Sequence, residues 1–417
     1  MDSKKIYSFY ENHLKEALLP FWLKNSPDRG RGGFFTCFDN ITGKLISRDK
    51  YTWSQGRMVW VMSKLSTVDC FDGAERAEFL SLARSGAEFI RDRVILGGYR
   101  CTFLTDGEGN PKPVSGDGIL DSSISADGFA AMGLARYAAV SGDGEFYALS
   151  RNIYDSIVKR IDSGNYRTLP YPEIPGFPTH GTCMGQLDLS MEIASMTEAF
   201  GDGRHRKTAE RAGFYANEIL SRFRDGNNLI RETISDNGIG DGNILTRHIK
   251  PGHAIECMWF IIHYALKHDR PDMIKTACEV ILASFGNGWD VEYGGLFLFT
   301  DCDGGEPKGS VSGIENEEMT RKVRTDWSGK VWWVHSETLY ALLLGYKMTG
   351  NEEFLEFYEM LHGYTFRTFP NPDVTVGEWL QIRNRRGEPE TRVVALPVKD
   401  PYHIIRNMIL IMELMEK

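Results

Sequence analysis

Five short segments bring residue types able to move protons or bind oxygens to the start of a helical pattern. In Pro251-Gly-His-Ala-Ile-Glu-Cys-Met-Trp-Phe260 a Pro-Gly pair opens a helix and places His253 in its first turn. Glu256 follows three residues later on the same face, where a carboxylate can fix an imidazole's orientation and raise its basicity. A solvent-facing helix start is the plainer reading of the same residues. Lys330-Val-Trp-Trp-Val-His-Ser-Glu-Thr-Leu-Tyr340 gathers Trp332, Trp333, His335 and Glu337 at another start. Adjacent tryptophans do not share a helix face, so one of them can line a cavity, where an indole stacks well on a sugar ring; two core residues are the equal alternative. In Lys399-Asp-Pro-Tyr-His403-Ile-Ile-Arg406, Pro401 suits a first turn and His403 shares a face with Arg406. Tyr51-Thr-Trp-Ser-Gln-Gly-Arg57 opens a fourth helix and sets the Arg57 fork to hold an oxygen or oxyanion. Asn384-Arg385-Arg386-Gly387 reads as a turn between strands, for which a solvated basic turn is the ordinary explanation.

Other chemistries lack their signals. The chain has no Gly-x-x-x-x-Gly-Lys-Ser/Thr loop, no His-Glu-x-x-His, no Cys/His spacing for zinc and no Gly-x-Ser-x-Gly elbow. Cofactor-free chemistry by side chains is the enzymatic option that remains. A net charge of −9 argues against a nucleic-acid partner. No apolar run approaches the ~20 residues that span a bilayer, and no signal-peptide core follows Met1. Seven scattered cysteines with no CxxC pair read as free thiols in a reducing cytoplasm.

These helix starts need a scaffold that converges them. Period-3.6 apolar patterning predicts helices near 5–25, 54–68, 74–94, 124–141, 143–161, 183–201, 205–224, 251–268, 270–286, 330–348, 352–369 and 402–416. Tight joins such as Ser141-Gly-Asp-Gly144, Gly201-Asp-Gly203 and Thr349-Gly-Asn351 make them antiparallel pairs. The longer connections repeat a Gly-Gly followed by alternating apolar residues, at Gly32-Gly33, Gly97-Gly98 and Gly294-Gly295, which predicts short hairpin strands. Six helical pairs in a ring form an (α/α)6 barrel, expected here as one domain over 1–417, with an open α-solenoid as the alternative. The segments 225–250 and 301–329 read as surface loops rather than lids.

The same motifs, in order along nearly the whole chain, resemble the N-acylglucosamine 2-epimerase family. They run from Phe21-Trp22 and Gly32-Gly-Phe-Phe-Thr-Cys37 through Gln55-Gly-Arg57, Pro-Gly-His253-x-x-Glu256, Gly288-Trp-Asp290 and Gly294-Gly-Leu-Phe297. They continue with Lys330-x-Trp-Trp-x-His-Ser-Glu337, Gly377-Glu-Trp379, Asn384-Arg-Arg-Gly387 and Tyr402-His-x-x-Arg406. The resemblance implies an (α/α)6 barrel and interconversion of N-acyl-D-glucosamine with N-acyl-D-mannosamine. Relatives epimerise cellobiose at C2, or isomerise mannose or sulfoquinovose to the ketose. It also implies that His253 and His403 are the acid/base pair, that Arg57 holds the oxygens near C1, and that Glu256 partners His253. Trp332, Glu337, Arg385, Tyr51, Trp53 and Arg406 are expected to bind substrate. No cofactor is expected, although family members are described as responsive to a nucleotide such as ATP, and a homodimer is implied. Two departures bear on specificity: Pro401 replaces a family cysteine, and Thr182-Cys-Met-Gly-Gln186 replaces a Pro-Met helix. A glycoside hydrolase on the same barrel, using Glu256, Glu337 or Asp188, and a non-catalytic carbohydrate-binding barrel are the rival readings.

Overall fold

The structure is a computed structural model that describes residues 2–236 and 242–416. Asn237–Asp241, inside the 225–250 loop, lie outside the described residues.

The helices are α1 (Ser3–Asn12), α2 (Leu19–Asn25), α3 (Thr52–Leu65), α4 (Gly73–Phe89), α5 (Ile124–Ser141), α6 (Gly144–Asp162), α7 (His180–Ala199) and α8 (His205–Glu218). They continue with α9 (Ile244–Arg247), α10 (Pro251–Lys267), α11 (Pro271–Gly288), α12 (Glu318–Thr325), α13 (Trp332–Thr349), α14 (Glu353–Thr368) and α15 (Tyr402–Glu416). A π-helical stretch, His13–Leu18, joins α1 to α2, and similar stretches extend α4 and α8.

Helices α3, α5, α7, α10, α13 and α15 pack side by side in that order, and α15 returns to α3. Each has an outer partner: α4, α6, α8, α11, α14 and, for α15, the first helix of the chain. This is the expected (α/α)6 barrel, closed by joining its two chain ends. The inner helices are buried on nearly every side, as α13 is from Trp332 to Gly345, because one face meets the cavity or ring neighbours and the other meets the outer helix. The outer helices keep a polar face; α6 is capped by Asp143, whose carboxylate accepts from the Glu145 and Phe146 amides. Close approach of α3 to α5 depends on Gly56 and Gly133. A Cβ on Gly56 would sit 2.1 Å from the Phe129 carbonyl oxygen, and one on Gly133 would sit 2.3 Å from the Gly56 oxygen. That contact brings Arg57 to within 4.1 Å of the Phe129 ring centre.

The strands differ from the expected local hairpins. Lys50–Tyr51 (β1) pairs with Leu104–Thr105 (β2), His248–Ile249 (β3) with Thr300–Asp301 (β4), and Lys330–Val331 (β5) with Ile382–Arg383 (β6). Each pair ties the residues just before an inner helix to a distant loop. The Gly-Gly sites make tight turns closed by single bridges, such as Pro27 to Phe34 and Trp289 to Leu296. The two supposed loops also hold short helices, α9 and α12. Among the described residues no helix is long and apolar enough to cross a membrane, and all seven cysteines are unpaired.

Candidate active site

At one end of the barrel the first turns of all six inner helices surround a single cavity. Its wall includes Trp53 and Arg57 from α3, Phe129 from α5, Gln186 and Asp188 from α7, His253 and Glu256 from α10, Trp332 and Trp333 from α13, and His403 and Arg406 from α15.

The two histidines are held alike. His253 Nδ1 lies 3.0 Å from Glu232 Oε1, and His403 Nδ1 lies 2.7 Å from Glu337 Oε1. A carboxylate only accepts, so each Nδ1 carries the proton and each Nε2 keeps its lone pair. Neither Nε2 has a hydrogen-bond partner among the described residues, and both rings line the cavity. The Trp333 indole packs against both, its ring centre 5.2 Å from the His253 ring and 5.9 Å from the His403 ring. Burial, followed by the Lys250 charge, pushes the His253 imidazole below its ordinary value. Burial pushes His403 down to about 3, aided by Arg57 and Arg406 against the opposing pull of Glu256. Both shifts favour the neutral ring, whose Nε2 lone pair is free to accept a proton.

Glu232 was not foreseen. It sits in the loop after α8, clamped between two helix starts: Thr233 bridges Thr179 ahead of α7, and Arg231 bridges Ile249 ahead of α10. Its other oxygen is 3.3 Å from Nδ1 of His180, and its carbonyl accepts the His180 amide at 2.8 Å. One carboxylate thus holds two imidazoles. Burial works against its charge, but His253 and His180 keep it ionised, well below the usual carboxylate range. His180 also escaped notice, because α7 begins at His180 rather than near residue 183.

Glu256 is not the partner of His253. The side chain turns inward to the Arg406 guanidinium at 2.6 Å and stands 3.5 Å from His403 Nδ1. Arg406 also binds Glu337 at 2.6 Å, and Trp259 donates to the other Glu337 oxygen at 2.8 Å. Glu337 is wholly buried below the cavity floor, so it positions His403 and does not reach a ligand. Arg57 is bound by Asp400 and stacks between aromatic rings, 5.1 Å from Trp53 and 5.0 Å from Tyr402. Its Nε has no partner among the described residues.

Of the expected ligand contacts, Trp53, Arg57, His253, Glu256, Trp332, His403 and Arg406 meet at the cavity. Two do not. Tyr51 lies in β1 with its ring against Phe103, 5.7 Å away, outside the cavity wall. Arg385 lies in a separate outer cleft beside Phe297 and Trp327, where Asp290 binds it at 2.9 and 3.1 Å. His335 is structural: Leu296 donates to its Nε2 at 3.1 Å and its Nδ1 meets the Val331 carbonyl at 2.8 Å.

Two clusters at the cavity have donors of metal-binding type, His180–Glu232–His253 and Glu256–Glu337–His403, and a third, Asp301–Cys302–Asp303, lies outside its wall. In the first the ring nitrogens already bond the carboxylate, and in the second the Arg406 cation occupies both carboxylates. Both donor sets suit proton transfer better than metal ligation.

Comparison with known proteins agrees with this architecture. The sequence profile of the N-acylglucosamine 2-epimerase (GlcNAc 2-epimerase) family matches residues 33–407. The N-acylglucosamine 2-epimerase of Bos taurus is 29% identical over 406 residues, covering 96% of this chain and 89% of the bovine protein. Among solved structures, cellobiose 2-epimerase from Bacillus thermoamylovorans superposes with a TM-score of 0.77 at 18% identity, covering 98% of this chain and 99% of that one. A D-mannose isomerase superposes with a TM-score of 0.76 at 18% identity, covering 97% of both chains. The chain belongs to the N-acylglucosamine 2-epimerase family and is an isomerase.

Proposed function

We propose that this protein interconverts an N-acyl-D-glucosamine and the corresponding N-acyl-D-mannosamine by removing and returning the proton at C2. The observation that carries this reading is the pair of imidazoles, each fixed at Nδ1 by a carboxylate, each open at Nε2 and both packed against Trp333.

The hydrogen on C2 is acidic only in the open-chain aldehyde, and only if the oxygen that gains charge is stabilised. One histidine takes the C2 proton through Nε2. The electron pair moves into the C1–C2 bond, and negative charge develops on O1. Arg57 supplies donors to that oxygen, in a wall of aromatic rings where its charge is poorly screened. The second histidine, which has taken a proton from water onto Nε2 for this step, delivers it to C2 from the other face and inverts the centre, and the first histidine then gives its proton back to water. Each such group contributes ~10²–10⁴-fold. A scheme of this kind calls on no metal or redox group.

The N-acyl preference rests on the name of the bovine relative and on Gln186. This side chain lines the cavity, is buried, and its Oε1 has no partner among the described residues. An amide N–H of an acylamino substituent would satisfy it. The test is NMR of N-acetylmannosamine, N-acetylglucosamine, mannose and cellobiose in D2O with the protein. Deuterium at C2 together with growth of the C2 epimer is expected for the N-acetyl sugars. Ketose formation from mannose with inert N-acetyl sugars would overturn the assignment.

A further inference from the structure

Among the described residues the cavity wall holds one cation, Lys250, with no hydrogen bond or ion pair of its own. Lys250 lies between β3 and α10, as the residue just before the helix, and is 9% exposed. Its ammonium lies 5.4 Å from the centre of the Trp333 ring and 5.7 Å from that of Tyr171. Among the described residues it has neither a hydrogen bond nor an ion pair. Apart from Asp188, whose ion-pair contact is Arg406 at 3.9 Å, the other charged groups of the wall are engaged. Glu232 holds two imidazoles, Glu256 holds Arg406, Asp400 holds Arg57, and Asp326 meets Arg392 at 3.2 Å. A second ammonium, Lys322, approaches the same Tyr171 ring at 5.3 Å, its Nζ donating to the Val394 carbonyl at 2.6 Å. Aromatic faces repay only part of the cost of taking an ammonium out of water. Burial accordingly pushes Lys250 below its ordinary value against the opposing pull of Glu232 and Glu256, and the nearby Lys322 charge adds to the lowering.

We propose that Lys250, backed by Lys322, is a subsite for an anionic group on the sugar, so that the substrate is an acidic monosaccharide carrying a carboxylate, sulfate or phosphate. This rests on the C2 epimerase reading and narrows it. Trp333 is flanked by both histidines and by Lys250, so the anion lies within one sugar ring of the reacting carbon. It therefore belongs to the ring that reacts and not to a second ring of a disaccharide. A neutral acyl oxygen would give the ammonium a hydrogen bond and leave its charge uncompensated.

The test compares N-acetylmannosamine with its 6-phosphate, its 6-sulfate and the corresponding uronate. C2 proton loss in D2O is read with the wild type, Lys250→Met and Lys250→Arg, after equal thermal denaturation has shown that the variants fold. At least one anionic sugar is expected to exceed the neutral one in kcat/KM by ~10–100-fold, the range of one charge-assisted hydrogen bond. In Lys250→Met that ratio falls to about one, and Lys250→Arg keeps most of it. A wild-type ratio of one or less for all three anions, or a ratio that survives Lys250→Met, overturns the proposal. If no sugar exchanges, the epimerase reading itself fails. Calorimetry with the 6-phosphate then decides the subsite alone: binding that Lys250→Met abolishes supports it, and equal binding or none overturns it.

Discussion

Replacing Glu232 by Gln tests the central arrangement with the least disturbance, because the shape is kept and one charge is removed. The wild-type carboxylate accepts from His253 Nδ1 at 3.0 Å and from His180 Nδ1 at 3.3 Å. When His253 takes the C2 proton its ring becomes a cation, and the bond to Glu232 becomes charge-assisted. Such a bond contributes ~1.5–3 kcal/mol, which is ~10–150-fold in rate. The amide also offers N–H groups toward Nδ1, which favours the tautomer with Nε2 protonated. That form cannot act as a base, so the total loss in kcat can reach ~10⁴-fold, as when an orienting carboxylate is neutralised elsewhere. The sign of the pH effect is fixed too. Glu232 raises the His253 value against burial and Lys250, so its removal lowers that value further. Activity of the free enzyme is lost as pH falls through the histidine values. The acidic limb of kcat/KM must therefore move to lower pH in Glu232→Gln, even as its plateau drops. Both effects are read from C2 exchange rates in D2O buffers across the acid range. A variant within threefold of wild-type kcat, with an unmoved limb, would refute the assignment of Glu232 as the group that orients His253.

Four further outcomes follow from the same geometry. His253→Asn and His403→Asn should each keep the fold and lose ~10²–10⁴-fold in turnover; near-normal activity in both would remove the acid/base scheme. Because burial depresses both imidazoles, His403 to about 3, kcat/KM of the wild type should still be close to its plateau at pH 6; a half-maximum at or above the ordinary histidine value of ~6.5 contradicts this. Gly295→Ala should lower the free energy of unfolding by ~2–5 kcal/mol, measured in denaturant, since φ is 74° and a Cβ would sit 2.4 Å from the Tyr364 ring. Arg385→Ala should leave kcat within about threefold, because its partners Asp290 and Glu292 lie in the outer cleft; a loss of ~100-fold or more would put it back in the site.

Helical periodicity and tight Gly-Asp joins made the barrel readable, since each inner helix must bury two faces and each outer helix one. What periodicity does not carry is the exact first turn, and here the chemistry sits in first turns. Starting α7 three residues late hid His180. Glu232 has no motif of its own: its place comes from the Thr179–Thr233 and Arg231–Ile249 bridges, which join residues far apart in sequence. The Glu256 assignment shows the limit of face-sharing. Residues 253 and 256 do lie on one side of α10, yet the stronger pull of the Arg406 guanidinium turns the carboxylate inward, and the loop supplies the carboxylate that His253 needs. Arg385 misled for a similar reason. A basic turn carries no information on which carboxylate will hold it, and Asp290, already paired with buried Lys330 at 3.1 Å, holds this one outside the cavity.

The same accounting of partners separates the proposed C2 epimerisation from hydrolysis on the same barrel. Glycoside hydrolysis by the usual route needs two carboxyl groups facing each other across the scissile bond, one free to donate a proton and one free to attack or activate water. Here Glu256 and Glu337 share the Arg406 guanidinium, and Glu337 also holds His403. Glu232 serves two imidazoles, Asp400 serves Arg57, and Glu173 accepts from the hydroxyls of Tyr166, Thr179 and Thr182. Asp188 is the exception. Its one ion-pair contact is Arg406 at 3.9 Å, and burial raises it to about 7. A lone carboxyl of that kind can donate a proton, yet no second free carboxylate opposes it among the described residues of the wall. The groups left with open, unprotonated nitrogen facing the cavity are His253 and His403. Carboxylates that in a hydrolase would meet the sugar are here turned away from it to orient two imidazoles, a division of labour that fits the proposed C2 proton transfer and leaves hydrolysis without its second carboxyl group.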